Sequence, residues 1–176
     1  DVTTGTIEDL TEGVGDPTVY SVNTVTLETE VIPINDAPEV TVNNTTLDMI
    51  DEDDENPPGS EVSSLFSGSF DDSEDDSDGS SANSLAGVAV KSNSTTGDQG
   101  DWQYSTDGGA IWAPLGTDMT PSEALVLSST ALVRFDPTDN WNGVPDSLVV
   151  HLIDDYDGDV TTGTIEDLTE GVGDPT

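Results

Sequence analysis

The stretch WQYSTDGGAIW, residues 102–112, has the pattern of a β-hairpin. Trp102 and Tyr104 alternate with polar residues, which places both rings on one face of a strand. The sequence TDGG, 106–109, is typical of a turn, and 110–112 supplies the returning strand. The shared aromatic face predicts that this hairpin covers a hydrophobic core.

Other short apolar or alternating segments follow the same pattern, separated by turns rich in Gly, Asn, Asp and Pro. No long stretch keeps the 3.6-residue period of an amphipathic helix, and only residues 63–68 suggest a helical turn. Short strands between turns predict an all-β fold, a Greek-key β-sandwich. The expected strands are 25–34, 39–43, 85–91, 102–105, 110–112, 131–135 and 147–153.

The first 18 residues, DVTTGTIEDLTEGVGDPT, recur unchanged as residues 159–176. Identity over this length indicates tandem repetition with a period of 158 residues, the offset between Asp1 and Asp159. We therefore expect a fragment of an array in which each repeat mainly contacts its neighbours. In this interpretation residues 1–34 are the C-terminal part of one repeat, with its final strand. Residues 35–176 form the following repeat without its own final strand.

The charge of the chain is extreme. It has 38 acidic residues against 2 basic ones, a formal net charge of −36 at pH 7. Two carboxylates about 4 Å apart repel by about 4 kcal/mol at an effective dielectric constant of about 20, so clusters of them favour bound cations. The alternative is an acidic surface that only provides solubility in a salty medium. Nucleic acids and anionic membranes are excluded as partners because both require a basic patch.

The natural seam of the repeat is Ile34-Asn-Asp-Ala-Pro-Glu39, where Pro38 stiffens a short connector. It is followed in order by the acidic run 51–55, the hairpin WQYSTDGGAIW, the segment RFDPTDNWNG (134–143) and a strand that ends in DDYDGD. This ordered set resembles the cadherin-like or immunoglobulin-like extender repeats of giant bacterial repeats-in-toxin (RTX) adhesins. The resemblance covers essentially the whole period.

The resemblance implies an extracellular protein on the bacterial surface, exported by type I secretion and involved in cell adhesion and biofilms. Its repeats would act as structural spacers that project distal ligand-binding domains from the cell. Calcium at the joints between repeats would stiffen the array. The alternative is a ligand-binding module that itself grips a glycan, ice or a host protein, for which exposed aromatic residues such as Trp141 would be needed.

Three polar segments are expected to meet at one pole of such a sandwich: the loops 71–79 and 154–159, and the connector that carries Asn35 and Asp36. Calcium takes six to eight oxygen ligands at about 2.4 Å, which carboxylates and amide oxygens supply. The sequence therefore predicts a Ca²⁺ site where successive repeats abut, with Glu52 a weaker candidate. The predicted ligands are Asn35, Asp36, Glu52, Asp71, Asp72, Asp76, Asp78, Asp154, Asp155, Asp157 and Asp159.

Other chemistry finds little support in the sequence. Zinc is disfavoured, since the chain has one histidine and no cysteine. His151 is expected on the strand face opposite Leu148, Val150 and Leu152, in a structural role. The chain is not expected to be an enzyme, because it has neither a Ser-His-Asp order nor a phosphate-binding glycine loop. No stretch approaches the ~20 apolar residues of a membrane span.

The division of the repeat has a consequence for the strand at residues 19–34. If it belongs to a preceding repeat, it has no sheet of its own in this chain, and its end leads directly into Asn35. We therefore expect that it can complete a neighbouring molecule by strand addition. The expected partners are copies of the same repeat, in tandem or by strand exchange.

Overall fold

The computed structural model describes residues 4–5, 7, 9–11, 13–76 and 81–169. The chain divides into two compact units, Asp1–Ile32 and Pro33–Thr176. The described part of the first unit contains no strand or helix. The expected strand at 25–34 is therefore wrong for this structure, and the side chains of Val25 and Leu27 are each 96% exposed. A strand needs a partner for its backbone N–H and C=O groups, and these residues have none in the described structure.

The second unit carries all the described regular elements. They are mostly short strands, with one helix of five residues and one 3₁₀ turn. The helix and the turn lie where the sequence predicted a helical turn, near residues 63–68. In chain order they are β1 Glu39–Val40, β2 Ser60–Glu61, α1 Val62–Phe66, the 3₁₀ turn Ser67–Ser69, β3 Phe70–Asp71, β4 Leu85–Asn93, β5 Gly100–Ser105, β6 Ala113–Pro114, β7 Ala124–Ser128, β8 Leu132–Pro137, β9 Leu148–Asp154 and β10 Ile165–Glu166.

The strands form two four-stranded antiparallel sheets and one short ladder. The first sheet has the order β10-β7-β4-β9 and the second has the order β2-β8-β5-β6, while β1 pairs with β3. The ladder between β4 and β9 is the longest, and it contains two register irregularities. The all-β prediction is confirmed: the fold consists of antiparallel sheets with one short helix.

A single apolar core holds the two sheets together. Val88 and Val90 of β4 and Leu127 of β7 are almost fully buried, and Val133 of β8 packs with them from the other sheet. Trp102 lies partly buried against this cluster, as the alternation in the hairpin predicted. Burying one such aliphatic side chain contributes about 1.5–3 kcal/mol, so the side chains that face each other across the core stabilise the packing of one sheet on the other.

Two local expectations were wrong. The strand expected at 110–112 is a loop, and β5 pairs instead with Ala113–Pro114. The reason is Asp107, whose carboxylate accepts hydrogen bonds from the Ser105 hydroxyl and the Ile111 amide, at 2.8 and 2.9 Å, and so closes a wider loop. Trp141, favoured as an exposed residue, is half-buried against Phe135 with ring centroids 6.1 Å apart.

The helices of the described residues are single turns, and neither is long and apolar enough to cross a membrane.

Arg134 is a buried cation with an unusual set of partners. It is 6% exposed, and its guanidinium lies 4.2 Å from the ring centroid of Trp112. It donates hydrogen bonds to the side chains of Gln103 and Asn56, at 2.9 and 2.8 Å, and to the carbonyl of Pro57. Neutral groups and an aromatic face thus stabilise this buried charge.

We predict that Arg134→Met lowers the free energy of unfolding by about 2–4 kcal/mol, because buried acceptors lose their donor and Trp112 loses the stacked cation. Urea denaturation would measure the loss. Lys91→Met is the matched control, since it removes the other cation of the chain from a half-buried position. Equal losses in the two variants would show that overall charge, rather than the Arg134 contacts, sets the stability.

Candidate metal centre

Two strand pairings bring distant acidic segments to one end of the sandwich. The register of β1 and β3 sets Glu39 opposite Asp71, so the connector residues just before β1 lie beside the loop after β3. The register of β4 and β9 sets Leu85 opposite Asp154, so the residues just before β4 lie beside the loop after β9. Backbone pairing therefore brings segment 35–36 beside segment 72–75, and segment 83–84 beside segment 154–155.

The connector is tied to the loop after β3. The backbone N–H of Asp36 donates to Oδ1 of Asp75 at 3.0 Å. Asp75 is itself placed by a turn in which its N–H donates to the carbonyl of Asp72 at 3.2 Å. A carboxylate held by a backbone N–H is fixed in direction, so the connector and the acidic loop are mutually positioned.

Asn83 links the two halves of the site. Its backbone N–H donates to Oδ2 of Asp72, and its side-chain amide donates to Oδ1 of Asn35 at 2.6 Å. Asn35 in turn donates to Oδ2 of Asp154 at 3.4 Å, and the N–H of Ser84 donates to Oδ1 of Asp155 at 2.8 Å. We call the connected set the junction cluster; it comprises Asn35, Asp36, Asp72, Asp75, Asn83, Asp154 and Asp155.

The junction cluster contains buried negative charge. Asp72 is 6% exposed and Asp75 is 5% exposed. Burial raises the pKa of Asp72 above its ordinary value of 3.8, and the charges of Asp75, Asp154 and Asp155 raise it further, against the opposing hydrogen bond from the Asn83 N–H. Ionised carboxylates in this position repel one another, so the cluster is electrostatically suited to a cation.

Five of the predicted ligands meet in the junction cluster: Asn35, Asp36, Asp72, Asp154 and Asp155. Asp71 does not join it, because its carboxylate accepts a hydrogen bond from the Ser73 N–H at 2.9 Å within its own turn. The remaining predicted ligands in the two acidic loops that the structure describes are exposed, and no described hydrogen bond ties their carboxylates to the cluster; they are Asp76, Asp157 and Asp159. Asp78 lies outside the described residues.

Glu52 was expected at the same pole, and the structure places it elsewhere. Its carboxylate accepts a hydrogen bond at 3.0 Å from the side chain of Asn142, in the segment that leads into β9. The cluster lies at the opposite end of β9, beyond Asp154, and seven residues of strand separate the two ends by about 20 Å. Glu52 therefore cannot share a cation with the cluster in this fold.

Sequence reasoning missed two members of the cluster. Asp75 lay inside the acidic run, but its neighbour Asp76 was preferred, and only the turn that starts at Asp72 shows which carboxylate faces inward. Asn83 was overlooked because it carries no charge. Its position directly before the apolar run of β4 was the available signal, since residues that flank strand ends lie at the poles of a sandwich.

The donors of the cluster fit a hard divalent cation. They are carboxylate and amide oxygens, which calcium prefers, and they include no sulfur or imidazole. Among the described residues, however, no group of three or more Asp, Glu or His side chains is already arranged so that it could hold a metal ion. Cation binding would therefore require the carboxylates to turn from their backbone N–H partners towards a common centre.

No protein-family model, curated protein or solved structure matches this chain.

The raised pKa of Asp72 predicts a distinctive pH dependence without calcium. Since its folded pKa lies above 3.8, its contribution to stability is fully present below pH 3.8 and is lost as pH rises through the folded value. Acidification from pH 7 to pH 4.5 in calcium-free buffer should therefore raise the Tm of the native chain more than that of Asp72→Asn. Calorimetry at both pH values measures the difference.

Asp71→Asn is the matched control for that experiment. Hydrogen bonds from Ser73 lower the pKa of Asp71, so its contribution to stability is present above its ordinary value of 3.8 and is lost only as pH falls below it. Asp71→Asn should therefore respond to acidification from pH 7 to pH 4.5 like the native chain, unlike Asp72→Asn. An equally reduced response in both variants would mean that total charge, and not the burial of Asp72, governs the response.

Proposed function

We propose that this chain is a calcium-stiffened spacer repeat of a long bacterial surface adhesin. The observation that carries the proposal is that Asn35 and Asp36, which belong to the connector at the repeat seam, are hydrogen-bonded to buried and half-buried carboxylates of the sandwich. A site at this position couples the direction of the connector to the body of the repeat. The oxygen ligands of the site suit calcium, and its position at the repeat seam suits a joint between repeats.

The electrostatics of the junction cluster explain why a cation would be useful there. Asp72 and Asp75 lose most of their contact with water, while their described hydrogen-bond partners are backbone N–H groups that carry only partial charge. An unpaired buried charge costs several kcal/mol, and like charges nearby add to this cost. Bound calcium would supply the missing positive charge.

Stiffening follows from the connection between the cluster and the connector. The connector contributes Asn35 through its side chain and Asp36 through its backbone, so a cation that fixes the cluster also fixes these two residues. Pro38 already limits the backbone two residues later. Removing hinge freedom at every joint keeps a tandem array extended and carries the domain at its tip away from the cell.

Sequence features support the wider context. The unchanged recurrence of 18 residues favours an array, and the ordered motifs resemble RTX adhesin extender repeats with cadherin-like or immunoglobulin-like Greek-key domains. A net charge of −36 suits a calcium-rich extracellular medium in which carboxylates are neutralised. The aromatic residues that a glycan platform would need pack instead against the core, Trp102 and Tyr104 among them.

Calcium should raise the stability of the chain. A cation that binds only the folded state adds about 2.7 kcal/mol at 100 times its dissociation constant, or roughly 5–10 °C in Tm for a domain of this size. In calcium-free buffer, Asp72→Asn should stabilise the chain, because it removes an uncompensated charge. In calcium, the same variant should lose most of the rise in Tm that the native chain shows. Thermal melts with and without calcium measure both effects.

The controls for this experiment separate a site from general screening. Asp71→Asn removes the same charge one residue away and should keep the full calcium-dependent gain. Asp154→Asn should lose most of it, and magnesium should substitute poorly because it prefers fewer protein ligands. A calcium gain that all three variants retain would refute the site.

Stiffening itself can be measured on a chain of two or more 158-residue periods. Small-angle X-ray scattering should show a longer maximum dimension in calcium than in EGTA, because the joints become fixed. Asp72→Asn in every period should leave the dimension near its EGTA value in both buffers. Scattering curves that calcium does not change would contradict the spacer mechanism.

A further inference from the structure

The sandwich has an open edge along β9. This strand ends the sheet β10-β7-β4-β9, and in the described structure only β4 pairs with it. Its inner residues Leu148, Val150 and Leu152 pack only partly against the core. The outer N–H and C=O groups of such an edge are free to pair with an added strand.

A large cavity opens beside this edge. Its volume is about 890 Å³, and it reaches between the sheets to Val88 and Leu127 on one side and Val133 and Phe135 on the other. Native interiors rarely contain spaces much larger than a water molecule. A cavity of this size, lined by core residues, has room for the apolar side chains of an added strand.

Apolar side chains around the rim extend the surface. Val42, Met49 and Val144 line the cavity and are 49%, 101% and 90% exposed. Contiguous apolar surface of this kind marks a binding site in a folded protein. The rim and the cavity together form an apolar groove along β9.

The chain contains a segment with the complementary pattern. In TVTLETEVIPI, residues 24–34, Val25, Leu27 and Val31 alternate onto one face, and they are 96%, 96% and 88% exposed. The opposite face carries Thr26, Glu28 and Glu30, which suit a solvent-facing position. This is the pattern of an edge strand with one buried face, yet it has no sheet partner in the described structure.

The repeated segment indicates which sandwich this strand belongs to. Residues 19–34 directly follow the first occurrence of DVTTGTIEDLTEGVGDPT. The second occurrence packs on the sandwich with the open edge: Ile165 pairs with Leu125 of β7, and the N–H of Leu168 donates to the carbonyl of Pro121. The sequence that follows this segment is thus matched to the same sandwich.

Strand direction favours a segment from a second copy over the segment of the same copy. Asn35 is held at the C-terminal end of β9 by Asp154, so residues before it could lie along β9 of their own copy only in the parallel direction. Every described strand pair in this fold is antiparallel. A segment from a second copy meets no such restriction.

We propose that residues 24–34 of one copy add antiparallel to β9 of a second copy and place Val25, Leu27 and Val31 in the groove. The added segment then pairs with the edge of β9 that has no partner in the described structure. The proposal does not rest on calcium, because no residue of the junction cluster lines the cavity that receives the apolar side chains.

Sedimentation velocity over a concentration series tests the assembly. The native chain should form dimers and larger species, and Leu27→Asp should weaken association at least tenfold, because an apolar side chain in the groove is replaced by a charge. Thr26→Asp adds the same charge to the opposite face and should associate like the native chain. A chain that stays monomeric at high concentration, or equal effects of the two variants, would overturn the proposal.

Disulfide trapping identifies the strand and the edge, since the chain has no native cysteine. Copies with Thr26→Cys, Glu28→Cys or Glu30→Cys are refolded with copies that carry Val149→Cys on the outer face of β9. At least one donor position should yield mixed dimers in excess over pairing with Glu166→Cys, an exposed residue of β10 at the opposite edge of the same sheet. No excess would refute the addition.

A chain that carries both the donor and the Val149 cysteine distinguishes the two topologies. Cross-links between chains are expected, whereas cross-links confined within single chains would mean that the segment folds onto its own copy and would overturn exchange. All arms are run with calcium and with EGTA. If calcium changed neither the stability nor the dimension of the chain while the cross-links still formed, the proposed function would be rejected and the strand addition would stand.

Discussion

Uncompensated negative charge at one pole is the constraint on which the rest of this structure depends. The chain has two basic side chains, and the sandwich uses Arg134 internally, stacked on Trp112 and bonded to neutral acceptors. Lys91 lies on β4; burial lowers the pKa of His151 on the neighbouring strand β9, and the charge of Lys91 lowers it further. The buried carboxylates of Asp72 and Asp75 are therefore held by backbone N–H groups, and full neutralisation must come from solution.

This constraint connects the stability of the sandwich with the position of the connector. Hydrogen bonds of the junction cluster hold the connector residues Asn35 and Asp36. A change in the charge of the cluster, by protonation or by a cation, would therefore act on the connector. Under the proposed function, this arrangement would link the ionic composition of the medium to the freedom of the joint between repeats.

The repeated segment shows how far local sequence determines structure here. In both occurrences an aspartate accepts hydrogen bonds from the N–H and hydroxyl of the threonine two residues later, Thr11 to Asp9 and Thr169 to Asp167, at 2.9 and 2.6 Å. The environment differs: Ile165 pairs in β10, while Ile7 is 99% exposed and outside any strand. Turns depend on neighbours in sequence, whereas strands depend on a partner that only the fold can provide.

By itself the sequence determined the all-β class and the positions of the long strands β4, β5, β8 and β9. These features follow from alternation, turn residues and strand ends, which are local. Only the tertiary structure decided that Asp75 rather than Asp76 faces inward, that Asn83 bridges the cluster, that Glu52 lies at the other end of β9, and that the apolar run of β7 is a central strand. Each of these depends on register and on which strand edges are paired, and a slip of one residue reverses the face of every side chain. The unpaired segment 25–34 illustrates the same rule, because an alternating pattern specifies a buried face and leaves the identity of the covering sheet to the fold.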